Sequence, residues 1–554
     1  MLTKVSVLCQ ADIATAGRSA GRLHAVLPAA VLAISFHLRP WENPVMTTSV
    51  ASSADTPQTA AFLRTRVLDH QAADRAAGVL IGAACGDALG VPYEFKPRLT
   101  DDQRPAMIGG GLGPYKPGEY SDDTQMHVCI AAVAASGADL TSSSALDQIA
   151  RNFQTWRANG ATDIGSQTSA VLMAAHKSET GSPGEAMTAA ADTYTARTRY
   201  SAGNGSLMRT GIVALAYLDD PEGMAKAATL ISSLTHSDPE CIEACILWCS
   251  GIRTAVLEGT FDGVRQGIHL LPADRQGIWT SRLDEAEANP PHHWPSNGYV
   301  VTALQAAWSA ITRTPVPEHA PERRSFPAQH FQLAAEAAVR AGNDTDTVAA
   351  IAGALLGARW GLSAIPLAWQ QAVNGWPSLT GPDIVRLAVL TARKGFDDAD
   401  GWPTTGRVPI PGCAGEAFVV PHPQDPGVLL GNLPLTEYRG TAPVDAVVSL
   451  CRVGQDAILS GTDVEHVRVW LIDKEGSNAN LHYVLDQAAQ RLERLPLRRQ
   501  HRPHPRVQGK PAEIRTPCDA HALQAAVQSP AKDRGIGRGA AGIARIRPRH
   551  DTQE

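Results

Sequence analysis

An all-α domain followed by a smaller, incomplete α/β unit is the architecture this 554-residue sequence predicts. Three observations carry that reading. From about Arg64 to Lys394, long Ala/Leu/Val/Ile stretches recur at helical spacing, punctuated by Gly, Pro and Asn clusters. Alternating, strand-like runs are scarce in the same region. After Phe396 the texture changes: a Pro/Gly stretch, Gly401–Gly415, leads into "EAFVV", "VDAVVSLCRV" and "VEHVRVWLI", which read as strands, and then into the helical "LHYVLDQAAQRLERL".

The segments follow in order. Residues 1–63 read as a disordered leader or a start-site artefact. Ala25–Phe36 faintly resembles a signal-peptide core, but a start at Met46 is the preferred reading, and Thr47–Thr59 is Ser/Thr/Ala-rich. Residues 64–395 form the helical domain, 396–412 a linker, and 413–495 the α/β unit. From 496 to 554 the chain is rich in Arg, His and Pro, and no aromatic residue follows Tyr483. That tail is expected to be disordered. Two explanations stand side by side: an out-of-frame product, or a basic tail for an acidic partner.

Bulk properties narrow the function classes. The formal net charge is −6, with no global basic excess, so no stable nucleic-acid partner is expected. Nine cysteines without paired spacing imply a reduced, cytoplasmic protein. No apolar run reaches the ~20 residues of a membrane span, and a monomer is expected. Cys241, Cys245 and Cys249 fall on one helical stripe, for which core packing is the simplest reading.

Two helices carry an unusual mark. "GVLIGAACGDALG" places Gly78, Gly82, Gly86 and Gly90 four residues apart, and "GALLGARWG" repeats the spacing with Gly353, Gly357 and Gly361. A helix-interior Gly costs about 1 kcal/mol relative to Ala, so each ridge calls for compensation by a close partner. Both ridges adjoin acids.

Those acids form two clusters. "SDDT" places Asp122 and Asp123 between hydroxyls at a helix start, and "GNDTDT" places Asp344 and Asp346 in the same way some 220 residues later. A helix N-terminus needs a single side-chain acceptor, so the second acid in each cluster needs its own explanation. Four carboxylates with flanking Ser and Thr hydroxyls make an all-oxygen set of the kind Mg²⁺ and Mn²⁺ prefer, and they suit two ions side by side.

Three further stretches fit a site around such a centre. "GDALGVPYEF" brings Asp87 to a helix end and Glu94 into a turn. "SAGNGSLMR" is a small-residue loop suited to presenting backbone N–H groups to a phosphate, although a plain turn is also consistent with it. "THSDPE" sets His236 before a helix start with Pro239 near its first position; a lone His is more often structural than catalytic.

The ordered set GDALGVPYEF, SDDT, GNGSLMR, THSDPE and GNDTDTVAAIAGALLG resembles the ADP-ribosylglycohydrolase family, which includes the dinitrogenase reductase-activating glycohydrolases, over about residues 70–395. The resemblance implies a helical fold with two Mg²⁺ or Mn²⁺ ions and an enzyme that releases ADP-ribose from a modified protein, nucleic acid or small metabolite. By position it implies metal ligation by Ser121, Asp122, Asp123, Asp344, Asp346 and Thr347. It implies catalytic roles for Glu94, Asp123 and Asp344, and substrate binding by Gly203, Asn204, Gly205, Ser206 and His236. Ser121 stands where Thr is common and Asn343 where a second Gly is common.

The segment 413–495 resembles the front half of a dual-specificity phosphatase domain, such as is fused behind some bacterial ADP-ribosylglycohydrolases. The nucleophile loop of that family, Cys-x5-Arg, is not in the sequence: Leu523 and Gln524 stand where Arg would follow Cys518. Asp473, near the place of a general acid, would serve no nucleophile. Two alternatives to the hydrolase stay open at this point: a non-catalytic ADP-ribose-binding or structural protein, and a two-metal nucleotide phosphohydrolase.

Overall fold

In the computed structural model the described residues are 66–178, 181–399, 401–404, 419–423, 428–432, 446–452, 465–472, 474–494 and 541–545. The leader, most of the tail, Asp473 and Cys518 lie outside them. Helices of ten residues or more run α1 (His70–Gly90), α2 (Asp122–Ala134), α3 (Ser143–Asn159), α4 (Ser166–His176), α5 (Pro183–Arg197), α6 (Pro221–Ser233) and α7 (Pro239–Glu258). They continue as α8 (Ala273–Ala288), α9 (Val300–Arg313), α10 (His330–Val339), α11 (Thr345–Trp360), α12 (Gly381–Ala392) and α13 (Leu481–Arg494). Their starts follow local chemistry: Asp69, Ser142, Ser182, Asp220 and Asp238 each accept a first-turn N–H, and Pro opens α5, α6 and α7.

Helix α1 is the centre of the domain. His70–Tyr93 is long and apolar enough to cross a membrane by length and composition, which corrects the expectation that no run is. Yet 94% of its apolar window is buried, as befits a helix apolar on every face in a large core. The two glycine ridges meet here. A Cβ on Gly353 would lie 2.8 Å from the Gly82 carbonyl carbon, and one on Gly90 would lie 2.5 Å from the Asp346 backbone nitrogen. Neither distance admits a side chain, so α1 and α11 touch backbone to backbone. The C-terminal end of α1 is thereby laid against the first turn of α11.

In the helical domain β1 (Asn374–Gly375) and β2 (Leu379–Thr380) pair antiparallel, and the sheet of the smaller unit has the order β3 (Val419–Pro421), β4 (Val428–Asn432), β7 (Ala541–Arg545), β5 (Ala446–Ser449), β6 (Glu465–Arg468). β5 and β6 run parallel, with Val448 opposite Val467, and the other pairs run antiparallel. Strand β7 is drawn from the segment read as a disordered tail. The unit closes on the helical domain: Leu367 joins the apolar cluster of Val448, Val467, Val469, Val484 and Ala488. Asn480 Nδ2 donates to the Trp360 carbonyl at 2.7 Å and to Ser363 Oγ at 2.8 Å. The stretch read as a linker takes part as well, since Trp402 is buried edge-on against Trp470, with ring centroids 5.1 Å apart.

Candidate active site

The α1–α11 contact brings both acidic clusters to one place. Asp87, in the last turn of α1, is wholly buried and faces the first turn of α2. Its Oδ1 accepts the Ser121 N–H and hydroxyl, each at 2.9 Å; its Oδ2 accepts the Thr124 N–H at 3.0 Å and hydroxyl at 2.6 Å. Asp87 therefore does the capping of α2 that its own acids would otherwise do, while Ser121, at the cap position, makes no cap bond. Asp122 and Asp123 are released from that duty. Asp87 was visible in the sequence only as a helix-end acid; its role depends on a partner 34 residues away.

Asp123 is buried. Its Oδ2 accepts the Ser121 hydroxyl at 3.1 Å and the Thr347 hydroxyl at 3.3 Å, which joins the two clusters. Its Oδ1 is buried with no hydrogen-bond partner among the described residues. Carboxylate oxygens of Asp87, Asp123 and Asp346 lie within 4.8 Å of one another, and so do those of Glu94, Asp344 and Asp346. Asp346 belongs to both trios.

Burial, and then the neighbouring acids, push the carboxyls of Asp122, Asp123 and Asp346 well above the usual range. Burial also raises Asp344, and it takes Asp87 up to about 6. Glu94, half-buried, is pushed up to about 9 by burial and by Asp344, Asp163 and Asp122. Like charges in so dry a place either hold protons or need cations. The orphaned Asp123 oxygen and the two overlapping all-oxygen trios fit hard divalent cations.

The loop predicted to bind substrate lies alongside. Gly203, Asn204 and Gly205 are half-buried, whereas Ser206 is wholly buried and takes the Ser232 hydroxyl at 2.9 Å. Asn204 reaches the acids: its Nδ2 donates to Asp344 Oδ2 at 2.8 Å. Its backbone N–H is already given to the Gly298 carbonyl at 3.1 Å, so that donor is not open to a phosphate.

His236 is also buried, behind the loop rather than on it. Its Nδ1 is 2.7 Å from Thr235 Oγ1, and a Cβ on Gly205 would lie 3.0 Å from its Cε1. Burial drives the ring well below its ordinary pKa, leaving it neutral. Ser206 is thus the buried end of the loop, and His236 packs directly against its Gly203 and Gly205.

Two residues that the sequence did not single out complete the support. Arg209, fully buried, donates to the Gly205 carbonyl at 3.0 Å and to Thr235 Oγ1 at 2.6 Å, with its guanidinium 4.7 Å from the Phe153 ring centroid. Asn297, also fully buried, donates from Nδ2 to the Gly342 carbonyl at 2.8 Å and accepts the Asp344 N–H on Oδ1 at 3.1 Å. The cysteine stripe of α7 is core, as expected, but it is core beneath this loop. Cys241 donates to the Gly203 carbonyl at 3.3 Å, and Cys249 to the Thr210 carbonyl at 3.4 Å.

The ADP-ribosylglycohydrolase family model matches residues 68–398, more than half of the chain. The chain belongs to the ADP-ribosylglycohydrolase family. It is similar to ADP-ribosylarginine hydrolase Tri1 of Pseudomonas putida, 29% identical over 310 residues, 55% of this chain and 75% of that protein. It is 25% identical over 308 residues to the ADP-ribosyl-[dinitrogen reductase] glycohydrolase of Rhodospirillum rubrum, 54% of this chain and 90% of that one. Human ADP-ribosylhydrolase ARH3 is 27% identical over 205 residues, 32% of this chain and 55% of its own. As an ADP-ribosylglycohydrolase, the chain is an enzyme of the glycohydrolase class, with the mostly helical fold that its motifs implied.

Proposed function

We infer that this ADP-ribosylglycohydrolase hydrolyses the glycosidic bond between ADP-ribose and a modified target, and that it does so with two divalent cations, Mg²⁺ or Mn²⁺. The observation that supports this most is the buried Oδ1 of Asp123, which has no hydrogen-bond partner among the described residues, beside two carboxylate trios that share Asp346. Ser121, Asp122, Asp123 and Asp346 would hold one cation, and Asp344, Asp346 and Thr347 the other. When bound, the cations supply the positive charge that orients ribose hydroxyls and a water molecule.

The remaining work falls to side chains. Glu94 stands at the edge of the acids and, ionised once the cations are bound, would take a proton from the water as its oxygen bonds to the anomeric carbon. The bond from that carbon to the target's nitrogen or oxygen breaks, and the leaving group carries the electron pair and gains a proton. Ionised Asp123 and Asp344 ease the oxocarbenium-like charge at the ribose, the task that paired carboxylates perform in ordinary glycosidases. Asn204 ties the substrate loop to Asp344, so the ADP-ribose and the acids are held in one frame.

The test is release of free ADP-ribose from a panel beginning with ADP-ribosylarginine, the substrate class named for the Pseudomonas putida relative. Release that stops with EDTA and with Asp344→Ala supports the reading and names the linkage. Metal binding without release from any substrate would instead mark a binding protein, and release of inorganic phosphate would mark a phosphohydrolase. For the 413–495 unit we read a phosphatase-like remnant without a nucleophile; turnover of p-nitrophenyl phosphate by the full chain would refute that.

A further inference from the structure

Two residues beside the acids occupy backbone conformations that side chains avoid. Phe95, directly after Glu94, has φ +50°, and Asn343, directly before Asp344, has φ +58°. A bulky residue in the left-handed region is held there by its surroundings, and such strain gathers at functional sites. Phe95 is 64% exposed, so burial does not hold it. Its peptide is engaged instead: the Phe95 N–H donates to the Asn343 carbonyl at 2.7 Å.

The other side of the same turn is gripped by Asn297. Its side chain spans the strained residue, donating to the carbonyl before Asn343 and accepting the N–H after it. The Asn297 carbonyl further accepts Asn204 Nδ2 at 3.1 Å. One buried amide thus reaches both ends of the turn and, through its carbonyl, the substrate loop.

We propose that Asn297 and the Phe95 peptide form a bracket that fixes the Gly342–Asp344 turn, and so sets Asp344 against Glu94; both are positioning residues for hydrolysis. The bracket rests on the hydrolase reading above. It has a physical logic: Glu94 and Asp344 repel each other, come from chain segments some 250 residues apart, and would separate unless their backbones were tied. The strain at Phe95 and Asn343 is the cost of a direct peptide-to-peptide tie at that point.

The experiment pairs substitutions that differ only in what the bracket needs. Asn343→Gly and Phe95→Gly allow the φ and keep the N–H; Asn343→Val opposes the φ, Phe95→Pro opposes the φ and removes the N–H, and Asn297→Ala removes both side-chain bonds. Each full-length variant is scored for kcat, for KM and, separately, for Mn²⁺ affinity by electron paramagnetic resonance. Residues that orient metal ligands change affinity or activity about 10–100-fold. The expected result is that loss in kcat and Mn²⁺ affinity for Val, Pro and Ala, with near wild-type values for the Gly variants and KM within threefold throughout. Folded Val and Ala variants with wild-type kcat and Mn²⁺ affinity overturn the bracket. Should Asn297→Ala fail to fold, the Val/Gly pair at 343 decides alone. A wild type that binds Mn²⁺ without turnover sinks the hydrolase reading, and the affinities still judge the bracket.

Discussion

Gly82 and Gly353 meet with their backbones in contact: a methyl group on either would overlap the other's carbonyl. This contact positions the candidate site, because it sets the end of α1 that carries Asp87 beside the start of α11 that carries Asp346. Gly82→Ala and Gly353→Ala are therefore expected to cost about 1–3 kcal/mol or more from overpacking, despite the better helix propensity of Ala. Urea denaturation of the variants with and without Mg²⁺ checks this. A substitution that stabilised the protein would mean the helices can part freely.

Asp87 accepts four hydrogen bonds from the first turn of α2. In Asp87→Asn one oxygen becomes a donor facing donors, so buried N–H and O–H groups lose partners at about 1–3 kcal/mol each. A lowered urea midpoint at unchanged m-value is the expected outcome, accompanied by weaker Mn²⁺ binding as Asp123 loses its register. Unchanged stability would contradict the capping role.

The buried acids also set a pH dependence. Burial raises Asp74 and Asp87 from 3.8 to about 6, and burial with Asp344 raises Glu94 from 4.5 to about 9. The metal-free folded state then holds protons that the unfolded chain has released, and stability falls wherever the folded state binds more protons. The buried histidines, whose pKa values are lowered, oppose this trend below about pH 6.5. In EDTA the melting temperature should therefore decline from about pH 7 through pH 9, where Glu94 still holds its proton. Mg²⁺ should flatten the decline by favouring the ionised acids. A melting temperature that rises with pH in EDTA over that range would be the wrong sign.

Cation binding should displace those protons. Calorimetric titration of the protein with Mn²⁺ at pH 7, in buffers of different ionisation enthalpy, is expected to show net proton release. Asp123→Asn should reduce both the release and the affinity, because it removes the orphaned oxygen as an anionic ligand.

The fit between the substrate loop and His236 allows a gentler test. Gly205→Ala places a Cβ 3.0 Å from His236 Cε1, so ring or loop shifts by a few tenths of an ångström. KM for an ADP-ribosylated substrate should rise about tenfold, equivalent to about 1.4 kcal/mol, with kcat changed far less. Equal losses in both would place the loop in the chemical step instead.

Much of this protein is legible in one dimension. Helical periodicity, caps such as Asp69 and Ser182, and the four-residue glycine spacing are local signals, so the all-α domain and the two tightly packed helices could be read from the chain. The acids were legible for a related reason: adjacent carboxylates exceed what capping can use, and that surplus is a statement about chemistry rather than about distance. Other features depended on contacts across the chain. That Asp87 takes over the capping, that Asp346 lies in both trios, that His236 and Ser232 pack behind the loop, and that Asn297 holds the turn before Asp344 all involve partners 26 or more residues apart. Burial acted the same way, turning ordinary carboxyls into proton-holding ones. The sequence by itself thus determined which oxygens and which bare backbones were available. Only tertiary packing decided which of them meet, because hydrogen bonds, desolvation and close helix contact are properties of neighbours in space.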